Sequence, residues 1–131
     1  MRSTIGICKD GDPRAAARAA LDLVRDDVVH AIDRWERSGG KKSILIKPNL
    51  LSTDKNLACN TSVESCLGIA DFFKENITYT IFLGDGTTYE STHQASTMRA
   101  LNNHGYTSHE DTWNLVDLHE GNSSRWFEIV N

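Results

Sequence analysis

The stretch "KKSILIKPNLLS", residues 41–52, decides how the chain is read. Residues 43–47 form an apolar run without polar alternation, the pattern of a strand buried on both faces of a parallel sheet. The run stops in Lys47-Pro48-Asn49. Proline has no N–H to give a ladder, so a turn begins here. Lys47 supplies a point charge suited to a phosphate or carboxylate, and Asn49 offers both a donor and an acceptor. The plainer reading is that Lys47 snorkels out of the strand end and the proline and asparagine make a turn.

Towards the C-terminus, an 11-residue connection from Asn49 to Cys59 follows, longer than such loops usually run. Thr61 and Glu64 have capping-box spacing. The helix they open would carry Val63, Leu67, Ala70 and Phe73 on one face and end near Asn76. Residues 77–83, "ITYTIFL", are β-branched and aromatic and predict a second central strand. "GDGTT", residues 84–88, follows. A further helix is expected to start near Ser91, with Gln94 three residues on. It would turn Ala95, Met98 and Leu101 inward and stop at Gly105. "NLVDL" and "RWFEIV" are shorter strand candidates.

Towards the N-terminus, residues 3–8, "STIGIC", are a short strand candidate. Asp12 then Pro13 predict an N-cap with proline in the first turn. Ala17, Leu21, Val24, Val28, Ile32 and Trp35 recur at helical spacing and predict one long helix, with Asp26-Asp27 as the alternative break. Gly39-Gly40 ends it. Strands alternating with helices predict an α/β fold, a largely parallel sheet flanked by helices in a Rossmann-like three-layer arrangement, built as a single domain over residues 1–131. Ligands of such sheets bind beyond the carboxyl ends of the strands. Both motif turns would open on that edge.

In the second turn, glycines allow backbone N–H groups to approach an anion, Asp85 can hold a cation, and Thr87 and Thr88 offer hydroxyls. The stretch is neither a Walker loop nor a dinucleotide fingerprint. The candidate ligand-binding set is therefore Lys47, Asn49, Asp85, Thr87 and Thr88. No catalytic residue can be assigned. His93, His104, His109 and His119 read as surface or loop residues, and His109-Glu110-Asp111 as a solvated turn. Trp113 and Trp126 read as core or interface residues.

The chain has 131 residues, 39% hydrophobic and 24% charged, an ordinary soluble composition for one core. Its net charge of -4 argues against nonspecific nucleic-acid binding. No apolar run approaches the roughly 20 residues that span a bilayer, and the N-terminus lacks a signal-peptide core. A cytoplasmic protein is expected. Cys8, Cys59 and Cys66 lack close pairing and are expected to be reduced, mostly buried thiols without a metal. Asn60, Asn76 and Asn122 open Asn-x-Ser/Thr triplets that mean nothing without a secretory signal.

Together, "KKSILIKPNLLS", "NTSVESCLGIADFFKEN" and "ITYTIFLGDGTTYEST" resemble the N-terminal half of the family called domain of unknown function 362. The likeness rests on Lys47-Pro48-Asn49, Thr61 through Glu64, and Gly84-Asp85-Gly86, and extends over roughly residues 3–131. Val63 stands where that family often has proline. The resemblance implies the fold and the site region but no reaction. It also implies a second half that this chain does not carry, and no iron–sulfur cluster in this chain. Two readings follow. One is a domain binding a small anionic or phosphorylated ligand, with a divalent cation as an optional bridge, whose activity needs further polypeptide. The other is a non-catalytic module that pairs with itself or with a partner supplying the missing half.

Overall fold

The computed structural model describes residues 4–51, 60–86 and 97–118. Helix α1 spans Pro13–Asp22. It begins as the sequence predicts, with the Asp12 side chain accepting the Arg14 N–H and proline in the first turn. The expected single long helix is instead two. The chain breaks at Leu23 and Val24, and α2 runs over Arg25–Arg37. Asp26 and Asp27 then occupy the first turn of α2, where carboxylates face the positive end of the helix dipole. The break lets α1 lie along α3, Val63–Asn76, while α2 departs in another direction.

The α1–α3 contact is close. A Cβ on Gly68 would run into the Arg14 carbonyl oxygen, so glycine is what allows this approach. Around it, Arg14 binds Asp71 through two nitrogens, Arg18 reaches both Asp22 and Glu75, and Arg25 donates to Asn76. The guanidinium groups of Arg18 and Arg25 lie over the buried Phe72 ring. These pairs are largely exposed, so they orient α1 more than they stabilise it.

The sheet is β1 (Ser43–Ile46), β2 (Thr80–Asp85) and β3 (Asn114–Asp117), in the order β1-β2-β3 and parallel throughout. The register Ile44↔Ile81 and Ile46↔Leu83 puts those four side chains on one face, with Leu115 beside Leu83. Cys66, Leu67 and Ala70 of α3 pack there. So do Ala100 and Leu101 of α4 (Thr97–Asn103), with Tyr106 and Trp113. The layers run sheet, then α3 with α4, then α1 on the outside of α3. Leu45 points to the other face and is 51% exposed, so β1 is not buried on both sides as its composition suggested.

Residues 4–8, expected as a strand, carry no ladder. Ile5 and Ile7 are 79% and 81% exposed, and Gly6 lies against the Ala20 carbonyl. Alternation of apolar residues makes a strand only where a neighbour supplies hydrogen bonds, and here the chain runs over α1 instead. The strand expected at "RWFEIV" and the helix start near Ser91 lie outside the described residues. Gly105 sits at φ +84 just beyond α4, as its stop signal predicts. No helix among the described residues is long and apolar enough to cross a membrane.

Candidate functional site

The parallel pairing of β1 and β2 brings the two motif turns to one edge. Lys47 leaves β1 and Asp85 closes β2, and the Lys47 ammonium lies 2.5 Å from Asp85 Oδ1. The two ends of this pair differ. The Asp85 side chain is 4% exposed and the Lys47 side chain 56%. Asp85 Oδ2 accepts the buried Leu50 N–H at 2.8 Å, so the carboxylate also fixes the turn after Pro48. Oδ1 has the ionic contact with Lys47 but no hydrogen bond of good geometry among the described residues. Among the described residues Lys47 has besides only a long approach, 3.5 Å, to the Pro48 carbonyl. An ammonium carries three donors, so the described residues leave at least one of them unused.

Asp85 is a strand residue and not part of a glycine-rich loop. Its backbone carbonyl takes the Leu118 N–H at 3.1 Å. Gly84 is likewise in β2, where any Cβ would strike the Val116 carbonyl. That glycine serves the close approach of β3, not the cradling of an anion.

Asn49 is exposed, and its main chain is used structurally. Its N–H donates to Thr61 Oγ1 and its carbonyl accepts the Thr61 N–H, both at 2.9 Å. Next to this, the Leu51 N–H donates to Asn60 Oδ1 at 2.7 Å, and Leu50 bridges Asn60 in antiparallel fashion. The connection after Lys47-Pro48-Asn49 is therefore clasped at its base. The clasp is tied to the core: Asn60 Nδ2 lies 2.9 Å from His104 Nε2, and the Tyr106 hydroxyl donates to the Thr61 carbonyl at 2.7 Å. Burial holds the Tyr106 phenol above its usual range, with the neighbouring Cys66 thiol adding to the effect. Tyr106 thus stays a neutral donor.

Of the expected set, Lys47 and Asp85 meet, and Asn49 lies on the same turn two residues on. Thr87 and Thr88 lie outside the described residues, as do His93, His119, Trp126 and Cys59. Thr61 is not the helix cap. Ser62 takes that place without a side-chain bond, and Thr61 is spent on the clasp. Asn60, Thr61, His104 and Tyr106 were not legible as site-forming residues. Only the tertiary pairing of Leu50 with Asn60 gives them that role. His104 is buried, contrary to its reading as a loop residue, and Trp113 is core as expected. Cys8 and Cys66 are free thiols, but Cys8 is exposed where burial was expected. Among the described residues no three His, Cys, Asp or Glu side chains are grouped to hold a metal. Both oxygens of Asp85 are already engaged, one by Lys47 and one by Leu50.

A sequence-family model described as Domain of unknown function (DUF362) matches residues 44–130. The match includes Lys47, Asn49 and Asp85 and begins at Ile44, so α1 and α2 lie before it, short of the wider likeness read from the sequence. No curated protein and no solved structure matches the chain.

Proposed function

The chain belongs to this family of unknown function, and on that premise we propose that it is a ligand-binding α/β domain. The ligand is a small anionic or phosphorylated molecule, held at the carboxyl edge of the sheet in the manner of Rossmann-like folds. The observation that carries this reading is the half-exposed Lys47 ammonium anchored on the buried Asp85 carboxylate. Asp85 fixes where the ammonium points, and the unused N–H of Lys47 meets the anion. The Asn49 amide, on the turn that the Thr61 clasp holds in place, supplies a second polar contact. Thr87 and Thr88 complete the expected set.

Because the Lys47–Asp85 pair is neutral overall, attraction comes from directed hydrogen bonds more than from net charge. Affinity for a bare anion is then modest, and chemistry on it needs further polypeptide. Titration of inorganic phosphate, followed by calorimetry, tests the site. Lys47→Ala removes a charge-assisted hydrogen bond of about 1.5–3 kcal/mol and weakens binding about tenfold or more. It lowers the melting temperature by about 3 °C or less, because the Lys47 end of the pair is open to water, which screens its attraction for the buried Asp85. Phosphate binding that is unaffected by Lys47→Ala, alongside a marked loss of stability, would make the lysine structural and refute the assignment.

A further inference from the structure

We propose that the Asn60–His104 contact is an acid-sensitive latch, closed while the imidazole is neutral and released when it takes a proton, a role independent of the ligand reading. What it latches is the turn after Lys47-Pro48-Asn49, whose far end at Leu51 is held by the Asn60 side chain.

Donors and acceptors fix the protonation state that the closed form needs. The Leu51 N–H only donates, so the Asn60 side-chain oxygen must face it, at 2.7 Å. The Asn60 amide nitrogen is then the atom turned to His104, and it lies 2.9 Å from Nε2. An amide nitrogen only donates, so Nε2 must accept, and the one proton of the neutral ring sits on Nδ1. A second proton would go to Nε2 and set an N–H against the Asn60 NH2 group. Turning the amide over relieves that contact but puts the NH2 group against the Leu51 N–H. One of the two bonds is lost either way. His104 is also buried, 8% exposed, which disfavours a charged ring in place. The proton therefore binds the open form better than the closed one. The latch holds fully above the range where an imidazole in water titrates, and it loses hold as pH falls through that range.

The titratable and charged groups that the described elements present around the clasp do not supply the switch. Tyr106, on the short turn Tyr106–His109, and Cys66 of α3 are held above their usual ranges, chiefly by desolvation, so both keep their protons in mild acid. Asp85 is engaged by the Leu50 N–H and by Lys47. Glu64 of α3 and Arg99 of α4 are exposed. The Tyr106 hydroxyl keeps its bond to the Thr61 carbonyl in either state, so release is confined to the Leu51 side of the clasp.

Amide hydrogen exchange of the full chain, followed by NMR and read as protection factors, tests the latch. An imidazole open to water takes its proton at about pH 6.5, so lowering the pH from about 7.5 to about 5.5 should cut Leu51 protection about tenfold. The Leu50 amide, bonded to Asp85, should keep its protection. His104→Gln supplies an amide oxygen that accepts from Asn60 and never titrates, so its Leu51 protection should not change with pH. His30 and His109 remain in that variant, which separates their effects from those of His104. Asn60→Asp still accepts from Leu51 but offers the ring a carboxylate, so its Leu51 protection should rise as pH falls over the same range. Should His104→Gln not fold, the parent and Asn60→Asp carry the test. No change at Leu51 in the parent, equal losses at Leu50 and Leu51, or the same loss in His104→Gln overturns the proposal. So does Asn60→Asp behaving like the parent.

Discussion

Replacing Asp85 separates its two duties. Its Oδ2 accepts a buried N–H from Leu50, which is 1% exposed, and its Oδ1 faces the half-exposed Lys47. In Asp85→Ala the Leu50 N–H is left buried without an acceptor, a cost of about 1–3 kcal/mol. The ion pair adds at most about 1 kcal/mol, because water screens the lysine end. A total of about 1–4 kcal/mol follows for alanine. Asp85→Asn keeps an oxygen for Leu50 and loses only the ion pair, at most about 1 kcal/mol. At about 3 °C per kcal/mol for a chain of this size, alanine lowers the melting temperature by about 3–12 °C and asparagine by about 3 °C or less, with alanine the larger loss. Urea unfolding followed by tryptophan fluorescence, with unchanged m values, checks both. Equal losses for the two variants would mean that charge, not the Leu50 hydrogen bond, fixes the turn, and the reasoning would fail.

Gly68→Ala should destabilise by about 2 kcal/mol or more, because the new methyl group drives α1 from α3; the same urea series measures it. Tyr79 is pushed up to about 12 by desolvation and by its hydrogen bond to Glu36. A raised phenol favours the folded state fully below the unfolded value, about 10. That contribution is lost as pH climbs from about 10 to 12, so stability should fall in that window in the parent more than in Tyr79→Phe. With a thiol reagent, the exposed Cys8 should react at once. The buried Cys66, its thiol pushed up by desolvation, should react only on unfolding; stopped-flow traces of Cys8→Ser and Cys66→Ser identify each phase. A fast phase surviving in Cys8→Ser and lost in Cys66→Ser would contradict the burial.

Sequence by itself determined the elements whose signals are local. Asp12-Pro13 starts α1 because a cap and a fixed φ act within one turn. Val63, Leu67, Ala70 and Phe73 recur at helical spacing and do face the core. The β-branched run ending at Asp85 is β2, and its parallel pairing with β1 follows from the helix between them. These signals placed Lys47 and Asp85 at one edge of the sheet. Tertiary structure alone decided the rest. Ile5 and Ile7 alternate like a strand, but a strand exists only where a neighbour completes its hydrogen bonds. Thr61 has the spacing of a cap, yet its hydroxyl is claimed by Asn49, twelve residues away, once the loop closes. The approach of α1 to α3 at Gly68 joins residues over fifty positions apart, a contact no local window contains, whereas the break at Leu23 and Val24 falls just before the Asp26-Asp27 pair that the sequence offered as the alternative. The Lys47–Asp85 contact and the Asn60–His104 tie join residues far apart in sequence. Their geometry depends on register and packing, which residue types constrain but do not specify.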